Sequence, residues 1–358
     1  MRWWRRRGGG RWGGWGGESK AYVSISGLLA TIDPVRSDVS TRTMNAHSET
    51  FPIFELFGMR SHNGKPWSSS LENVALIFGE DGQKIVDNLV ALVEDFRGGS
   101  IVYDFMDESE YLKMASKDLS QAGVQYWREN LDRAHFASAT SCIRTLDWVK
   151  AIVSSYEDEN FLSFMSSMRA LTEFSGDTIH SLNQVPLTIA ENSREIIGML
   201  EGNSDPFFIS GELEDSLIHY THARKLKKGD AWAEIHRAEQ THVYVRNLEP
   251  YAPKIYDMYN LLYGYAHPAG QSVGAHMRPL GRNDWSLIVD PGKKIISDFI
   301  VEWGDQFSEL PMLATNQALC TLKALSVIDS RRYGGSSISR LDLSAIPLWL
   351  KCRACLDI

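Results

Sequence analysis

The chain has 358 residues, a formal charge of −8 and a hydrophobic fraction of 43%, as expected for a globular protein with a sizeable core. This composition excludes a collagen-like, fibrous or wholly disordered chain, and the acidic balance argues against a strong binder of duplex DNA. Four cysteines are too few for a disulfide framework, so we predict a reducing, cytoplasmic location. No stretch approaches the roughly eighteen apolar residues of a membrane span, and we expect no membrane partner.

The beginning of the chain differs in composition from the rest. Residues 1–17 contain only Met, Arg, Trp and Gly, with five arginines and no acidic residue. Such a tract is typical of a disordered RNA-binding arm. The alternative, which we prefer, is that upstream DNA has been translated and that the protein starts at Met44. We predict four regions: a disordered or spurious extension (1–43), an N-terminal helical region with an extended segment (44–116), a main helical bundle (117–330) and an irregular tail (331–358).

Apolar residues recur at helical spacing through most of the chain. Ile85, Leu89 and Phe96 predict a first helix that ends at Gly98, and residues 101–105 form a short strand or a linker. Further helices are predicted over about 118–156, 161–182, 212–227, 231–247, 250–267, 292–309 and 312–330. Alternating strand patterns are nearly absent, so the sequence predicts an all-α bundle of about eight to ten helices with disordered N-terminal and irregular C-terminal ends.

The helix predicted over 161–182 carries the clearest apolar stripe in the chain. A row of polar residues, Arg169, Glu173, Asp177 and His180, lies about 100–180° around the helix from that stripe. We therefore expect a solvent-exposed ladder of ion pairs, which stabilises a helix by a few tenths of a kcal/mol per pair. This row becomes a candidate site only if a second layer of helices covers it.

Six of the ten histidines lie between residues 219 and 276. Asp215, His219 and His222 share one face of the helix predicted over 212–227, and this combination suits a divalent metal. The same face lies opposite the apolar stripe, so an exposed polar face is the simpler interpretation. With His236 from the next predicted helix, these residues are the candidate metal ligands.

The helix predicted over 231–247 places polar residues on its apolar side. Trp232, Ile235 and Val243 define the stripe, and Glu239 and His242 fall in the same sector. An unpaired buried carboxylate is costly, so we predict that Glu239 and His242 are largely buried and that each has a polar partner. The expected partners are Arg224 or Arg246 for the carboxylate, and His219 or His267 for the imidazole. The candidate catalytic residues are His242, Glu239, Arg224, Arg246 and His267.

Three Arg–His pairs have the spacing of a ribonuclease motif. Arg237-x4-His242, Arg128-x6-His135 and Arg42-x4-His47 resemble the R-x4–6-H motif of HEPN-type helical ribonucleases, a family that is all-α and usually dimeric. The resemblance implies a His that acts as general base on a ribose hydroxyl and an Arg that stabilises phosphate charge. It covers only these few residues.

The leading functional hypothesis is a binding or interaction module for an unidentified ligand or protein partner, with a polar site in the 212–267 helices. The alternatives are a HEPN-like helical ribonuclease and a metal-dependent helical-bundle enzyme. A divalent metal is the cofactor that the last alternative implies, and the leading hypothesis requires none. RNA and a second copy of the chain stay open as partners, and the sequence leaves open whether the protein is an enzyme.

Overall fold

A computed structural model of the protein describes residues 71–99, 101–203, 208–226, 236–267 and 270–357. These residues form an all-α multi-helix protein, which confirms the predicted fold class. The helices are α1 (Leu71–Gly98), α2 (Glu108–Ala115), α3 (Leu119–Glu157), α4 (Phe161–Leu182), α5 (Val185–Glu191), α6 (Ser193–Leu200), α7 (Gly211–His222), α8 (Thr241–Arg246), α9 (Ile255–Ala266), α10 (Gln271–Gly274), α11 (Gly292–Phe307), α12 (Leu310–Ile328), α13 (Ser330–Tyr333), α14 (Ser336–Arg340) and α15 (Pro347–Cys355). Strands β1 (Met277–Pro279) and β2 (Trp285–Leu287) pair as an antiparallel hairpin. The predicted extension 1–43 lies outside the described residues.

Helices α3, α4 and α12 pack against one another and form the centre of the core. The side chain of Asn160 caps α4 by accepting a hydrogen bond from the Ser163 backbone N–H at 3.1 Å. The apolar stripe of α4 is buried as predicted, and Met168 and Leu171 are fully buried. The helix also begins and ends at the residues that its sequence pattern indicates.

A buried carboxylate ties the C-terminal part of the chain to α3. Asp132 is 1% exposed and accepts hydrogen bonds from Arg332 Nε at 2.8 Å, Arg332 Nη2 at 2.6 Å and the Tyr333 hydroxyl at 2.6 Å. Arg332 also donates to the carbonyl oxygen of Val102 at 3.1 Å. This bidentate salt bridge between Arg332 and Asp132 fixes α13 on α3. The bond to Val102 holds the extended segment 101–107, which is a linker rather than a strand.

The segment after residue 331 is more regular than its sequence pattern indicates. It contains the short helices α14 and α15, and Trp349 and Cys352 of α15 are buried against α5 and α12. Lys323 of α12 donates to the carbonyl oxygens of Ile338 and Ser339 at 2.7 and 2.8 Å. Tertiary contacts therefore stabilise helices that are too short to show a clear period in the sequence.

None of the helices in the described part of the chain combines the length and the apolar composition that crossing a lipid bilayer requires.

The burial of α4 gives a first test of this core. We expect Leu171→Ala to lower the free energy of unfolding by about 2–4 kcal/mol, because a fully buried leucine leaves a cavity when it is truncated. Val301→Ala is the matched control, since Val301 is 87% exposed and its truncation is expected to change little. Equal effects of the two substitutions in denaturant unfolding would contradict this assignment of faces.

Candidate polar site between α4, α7 and α8

A second layer of helices covers the polar row of α4. The Arg169–Glu173 ion pair forms as predicted, at 2.9 Å, but the row is not a solvent-exposed ladder. The hydroxyl of Tyr259 in α9 donates to Glu173 Oε1 at 2.8 Å, and the guanidinium of Arg169 lies 5.1 Å from the ring centre of Tyr263. Helix α8 packs over the row at Asp177, which is half-buried, and His180 at the end of the row is exposed. The condition under which this row becomes a candidate site is therefore met.

At the α8 end of the row, Asp177 and His180 are held by short contacts. Ser181 Oγ donates to Asp177 Oδ1 at 3.1 Å, and Asn247 Nδ2 donates to His180 Nδ1 at 3.2 Å. The ring centres of His180 and His219 are 5.3 Å apart. Helices α4 and α7 thus bring a carboxyl group and two imidazoles together, and Asn247, the residue after α8, contacts one of the imidazoles.

The hydrogen bonds of Tyr244 determine how His219 is oriented. The Tyr244 hydroxyl oxygen accepts from the backbone N–H of Glu239 at 2.8 Å and lies 3.1 Å from Nε2 of His219. Because this hydroxyl already accepts from a backbone donor, its own proton is available for the imidazole. The hydroxyl donates this proton to His219 Nε2 in the tautomer that carries the ring proton on Nδ1.

The environment of this cluster favours uncharged side chains. Burial lowers the pKa of His180, and the adjacent His219 lowers it further, while Asp177 and Glu239 act in the opposite direction. Burial also raises the pKa of Asp177, and the hydrogen bond from Ser181 opposes that shift. His180 is therefore neutral at pH 7, and since its Nδ1 accepts from Asn247, its Nε2–H is left as a donor.

A cavity of about 410 Å³ opens beside this cluster. It lies where the C-terminal ends of α4 and α8 meet α7. Its lining residues are Ile179, His180, Ser181, Asn183, Gln184, Ser216, Arg246, Asn247, Pro250 and Tyr251. Among these described residues there is one permanent cation, Arg246, and no carboxylate. The guanidinium of Arg246 lies 4.9 Å from the ring centre of Tyr256, a cation–π contact that restricts its position.

The predicted burial of Glu239 is wrong. Helix α7 ends at His222, and the chain is extended at Arg224, whose N–H donates to the carbonyl oxygen of His236 at 2.8 Å. Residues 236–240 precede α8 and are not α-helical, so the helical wheel drawn for 231–247 does not apply to them. Glu239 is exposed, and His242 in the first turn of α8 is half-buried.

The catalytic candidates do not share one cavity. Arg246 lines the cavity beside His180, but His242, Glu239, Arg224 and His267 are absent from its lining. Arg224 is exposed and belongs to the extended pairing with Arg237. His267 is exposed at the end of α9, where its ring lies 5.1 Å from that of Tyr263. Trp232 and Ile235, which defined the expected stripe, lie outside the described residues.

The candidate metal ligands contact different neighbours and do not converge on one point. His219 is bonded to Tyr244, and His222 Nδ1 lies 2.6 Å from the Thr221 hydroxyl. His236 is fully buried, with its ring centre 6.1 Å from that of His222. Asp215 is half-buried on α7. Within the described ranges, no group of three or more His, Cys, Asp or Glu residues is arranged to hold a metal ion.

The Arg–His pairs with ribonuclease spacing lie in different settings. Arg237 is exposed and His242 is half-buried. Arg128 is exposed, but His135 is buried between aromatic rings, and burial lowers its pKa to about 4. The third pair, Arg42 and His47, lies outside the described residues.

Sequence inspection missed a buried group of charges between α3 and α7. Arg133 is 4% exposed and lies 3.8 Å from Glu129 Oε2, and the Phe105 ring covers its guanidinium at 4.5 Å. Glu214 of α7 is 5% exposed, and burial raises its pKa to about 7 although Arg133 opposes the shift. The apolar stripe gave no signal for them, because Glu129 and Arg133 lie roughly opposite Trp127 and Leu131 around α3, on a side that α7 also helps to bury.

We compared the chain with protein-family models, with curated proteins and with solved structures, and none of the three comparisons gave a match.

The raised pKa of Glu214 makes stability depend on pH. The folded protein keeps this proton up to about pH 7, whereas an unfolded glutamate releases it near pH 4.5. The associated stability is present below pH 4.5 and is lost as the pH rises through 7. As the pH rises between these limits, the free energy of unfolding of Glu214→Gln should increase by about 3 kcal/mol relative to that of the wild type, since one pKa unit corresponds to about 1.4 kcal/mol.

Denaturant unfolding at several pH values measures this difference. Glu212→Gln is the control, because Glu212 lies on the same helix and is exposed. A difference between Glu214→Gln and the wild type that stays constant from pH 4.5 to 8 would show that Glu214 is ionised throughout.

Proposed function

We propose that the protein is a binding module for a small polar ligand with an anionic group, and that this ligand occupies the cavity between α4, α7 and α8. The observation that carries the proposal is the lining itself. Arg246 is accompanied by amide and hydroxyl groups, with no carboxylate among the described lining residues, although the chain carries a net charge of −8. A volume of about 410 Å³ lies within the range of small-molecule sites.

The local electrostatics favour an anion over a cation. The carboxyl end of α4 and the amino end of α5 meet at Asn183 and Gln184, so the two opposite helix-end charges largely offset each other. Arg246 lies in the last turn of α8 and outweighs the partial charge of that short helix. Neutral His180 adds an N–H donor, and a carboxylate or phosphate group accepts such donors.

This proposal keeps the leading hypothesis from the sequence and moves its site. The polar site still involves the 212–267 region, through Ser216, Arg246 and Asn247, but it centres on His180 of α4. All four cysteines are free thiols, which supports a reducing location such as the cytoplasm.

Ligand-induced thermal stabilisation tests the proposal. We expect sulfate and a nucleoside monophosphate to raise the melting temperature in a concentration-dependent manner, by a few degrees at about 100 times Kd. The matching nucleoside, which lacks the anionic group, is expected to have a much smaller effect. Arg246→Met should abolish the response to both anions because it removes the cation from the cavity.

Arg128→Met is the matched control, since Arg128 is exposed on α3 and does not line the cavity. An unchanged anion response in Arg246→Met, or an equal loss in Arg128→Met, would show that the anions act elsewhere on the surface. Absence of stabilisation by any anion would overturn the proposed ligand class.

A further inference from the structure

The hairpin of β1 and β2 carries an apolar face that the described residues leave exposed. Cross-strand pairs place Met277 opposite Leu287 and Pro279 opposite Trp285 on one face. Trp285 is 56% exposed and Leu287 76% exposed, and Val289 continues the row at 72%. The sheet has two strands in the described part of the chain, and a two-stranded ribbon is at best marginally stable in water.

Among the residues that the structure describes, no further strand pairs with the outer edge of β2. Leu280 N–H donates to the Asp284 carbonyl oxygen, and Ile288 N–H donates to that of His276, each at 2.8 Å. Bonded pairs alternate along an antiparallel ladder, so Ser286 also directs its backbone groups towards β1. Trp285 and Leu287 therefore direct theirs outward, away from β1. An exposed edge with apolar side chains is a template for pairing with another strand.

We propose that a second copy of this chain pairs with this edge, β2 against β2, across a two-fold axis at Ser286. The two hairpins then form a continuous four-stranded antiparallel sheet. Trp285 pairs with the partner's Leu287 and Leu287 with the partner's Trp285, so that outward-pointing backbone groups meet in bonded pairs. These cross-strand aromatic–aliphatic contacts shield side chains that are exposed in the single chain.

Charge complementarity favours this register. With the axis at Ser286, the turn that carries Arg282 lies beside the partner's Asp290, which is three residues beyond β2, and the two-fold axis repeats this favourable contact. Moving the axis to Leu287 places Asp284 opposite the partner's Asp290, which brings like charges together twice. Opposite charges that lie close together are stabilising and like charges destabilising, so the Ser286 register is preferred to the one centred on Leu287.

Disulfide trapping tests the geometry directly. Residues on the axis form a non-hydrogen-bonded pair with Cα atoms about 4.5 Å apart, which a disulfide can span. We expect Ser286→Cys to form a covalent dimer under mild oxidation. Arg278→Cys is the control on the same hairpin: Arg278 is more exposed than Ser286, but in the four-stranded sheet it is separated from its copy by both β2 strands. Wild-type protein controls for crosslinking through Cys355, which is half-buried.

Sedimentation of the reduced proteins tests the energetics. We expect Arg282→Asp to weaken the dimer and the double variant Arg282→Asp/Asp290→Arg to restore it. Leu287→Lys should raise the dimer dissociation constant by about tenfold or more, a loss of about 1.4 kcal/mol. Val301→Lys, at an equally exposed position on α11, should have no effect. A monomeric wild type, or a dimer that neither Leu287→Lys nor the charge reversal affects, would overturn the proposal. Equal trapping of Ser286→Cys and Arg278→Cys would do the same.

Discussion

Helix α8 lies directly on α4 because residue 176 has no side chain. A Cβ atom at Gly176 would be 2.4 Å from the carbonyl oxygen of Tyr244 and 3.1 Å from the backbone nitrogen of Val245. The backbones of the two helices therefore approach at a distance that glycine permits and other residues prevent. From this position the Tyr244 hydroxyl reaches His219, and Asn247, one residue beyond α8, reaches His180. The polar cluster and its cavity both depend on this single contact.

Several polar groups in and around the core of this protein are tolerated because they are paired across helices. Asp132 accepts three hydrogen bonds from Arg332 and Tyr333, and the partners of His219 and His180 come from α8 and the residue that follows it. Such pairs add little net stability compared with an apolar core, but breaking one leaves a costly unpaired group. They consequently favour one arrangement of the helices over others. Glu214 avoids the free-energy cost of a buried charge by staying protonated, because burial raises its pKa to about 7.

Apolar periodicity in the sequence predicted the long helices correctly. The prediction of which residues are buried was wrong where the chain is not helical. The bounds of α4 and the burial of Met168 and Leu171 follow from the apolar stripe alone. The helical wheel drawn for 231–247 gave wrong burial because it assumes an unbroken helix. Residues 236–240 are not α-helical, so the wheel does not predict which of them face the core. No periodicity reveals that α8 and α9 cover the polar row of α4, since that contact is long-range. Gly176, an isolated glycine within a strong helical pattern, was the signal for a close approach.

The contact at Gly176 is tested most directly by the free energy of unfolding of Gly176→Ala and Gly304→Ala. Both glycines lie inside helices, but an added Cβ at Gly304 meets nothing within 4 Å. We expect Gly304→Ala to be neutral or to stabilise the protein by up to about 1 kcal/mol, as alanine does in a helix. Gly176→Ala should lower the free energy of unfolding by about 1–3 kcal/mol, because α8 must move away from α4. A Gly176→Ala variant as stable as Gly304→Ala would contradict the account, since α8 would then not rest on α4 at this residue.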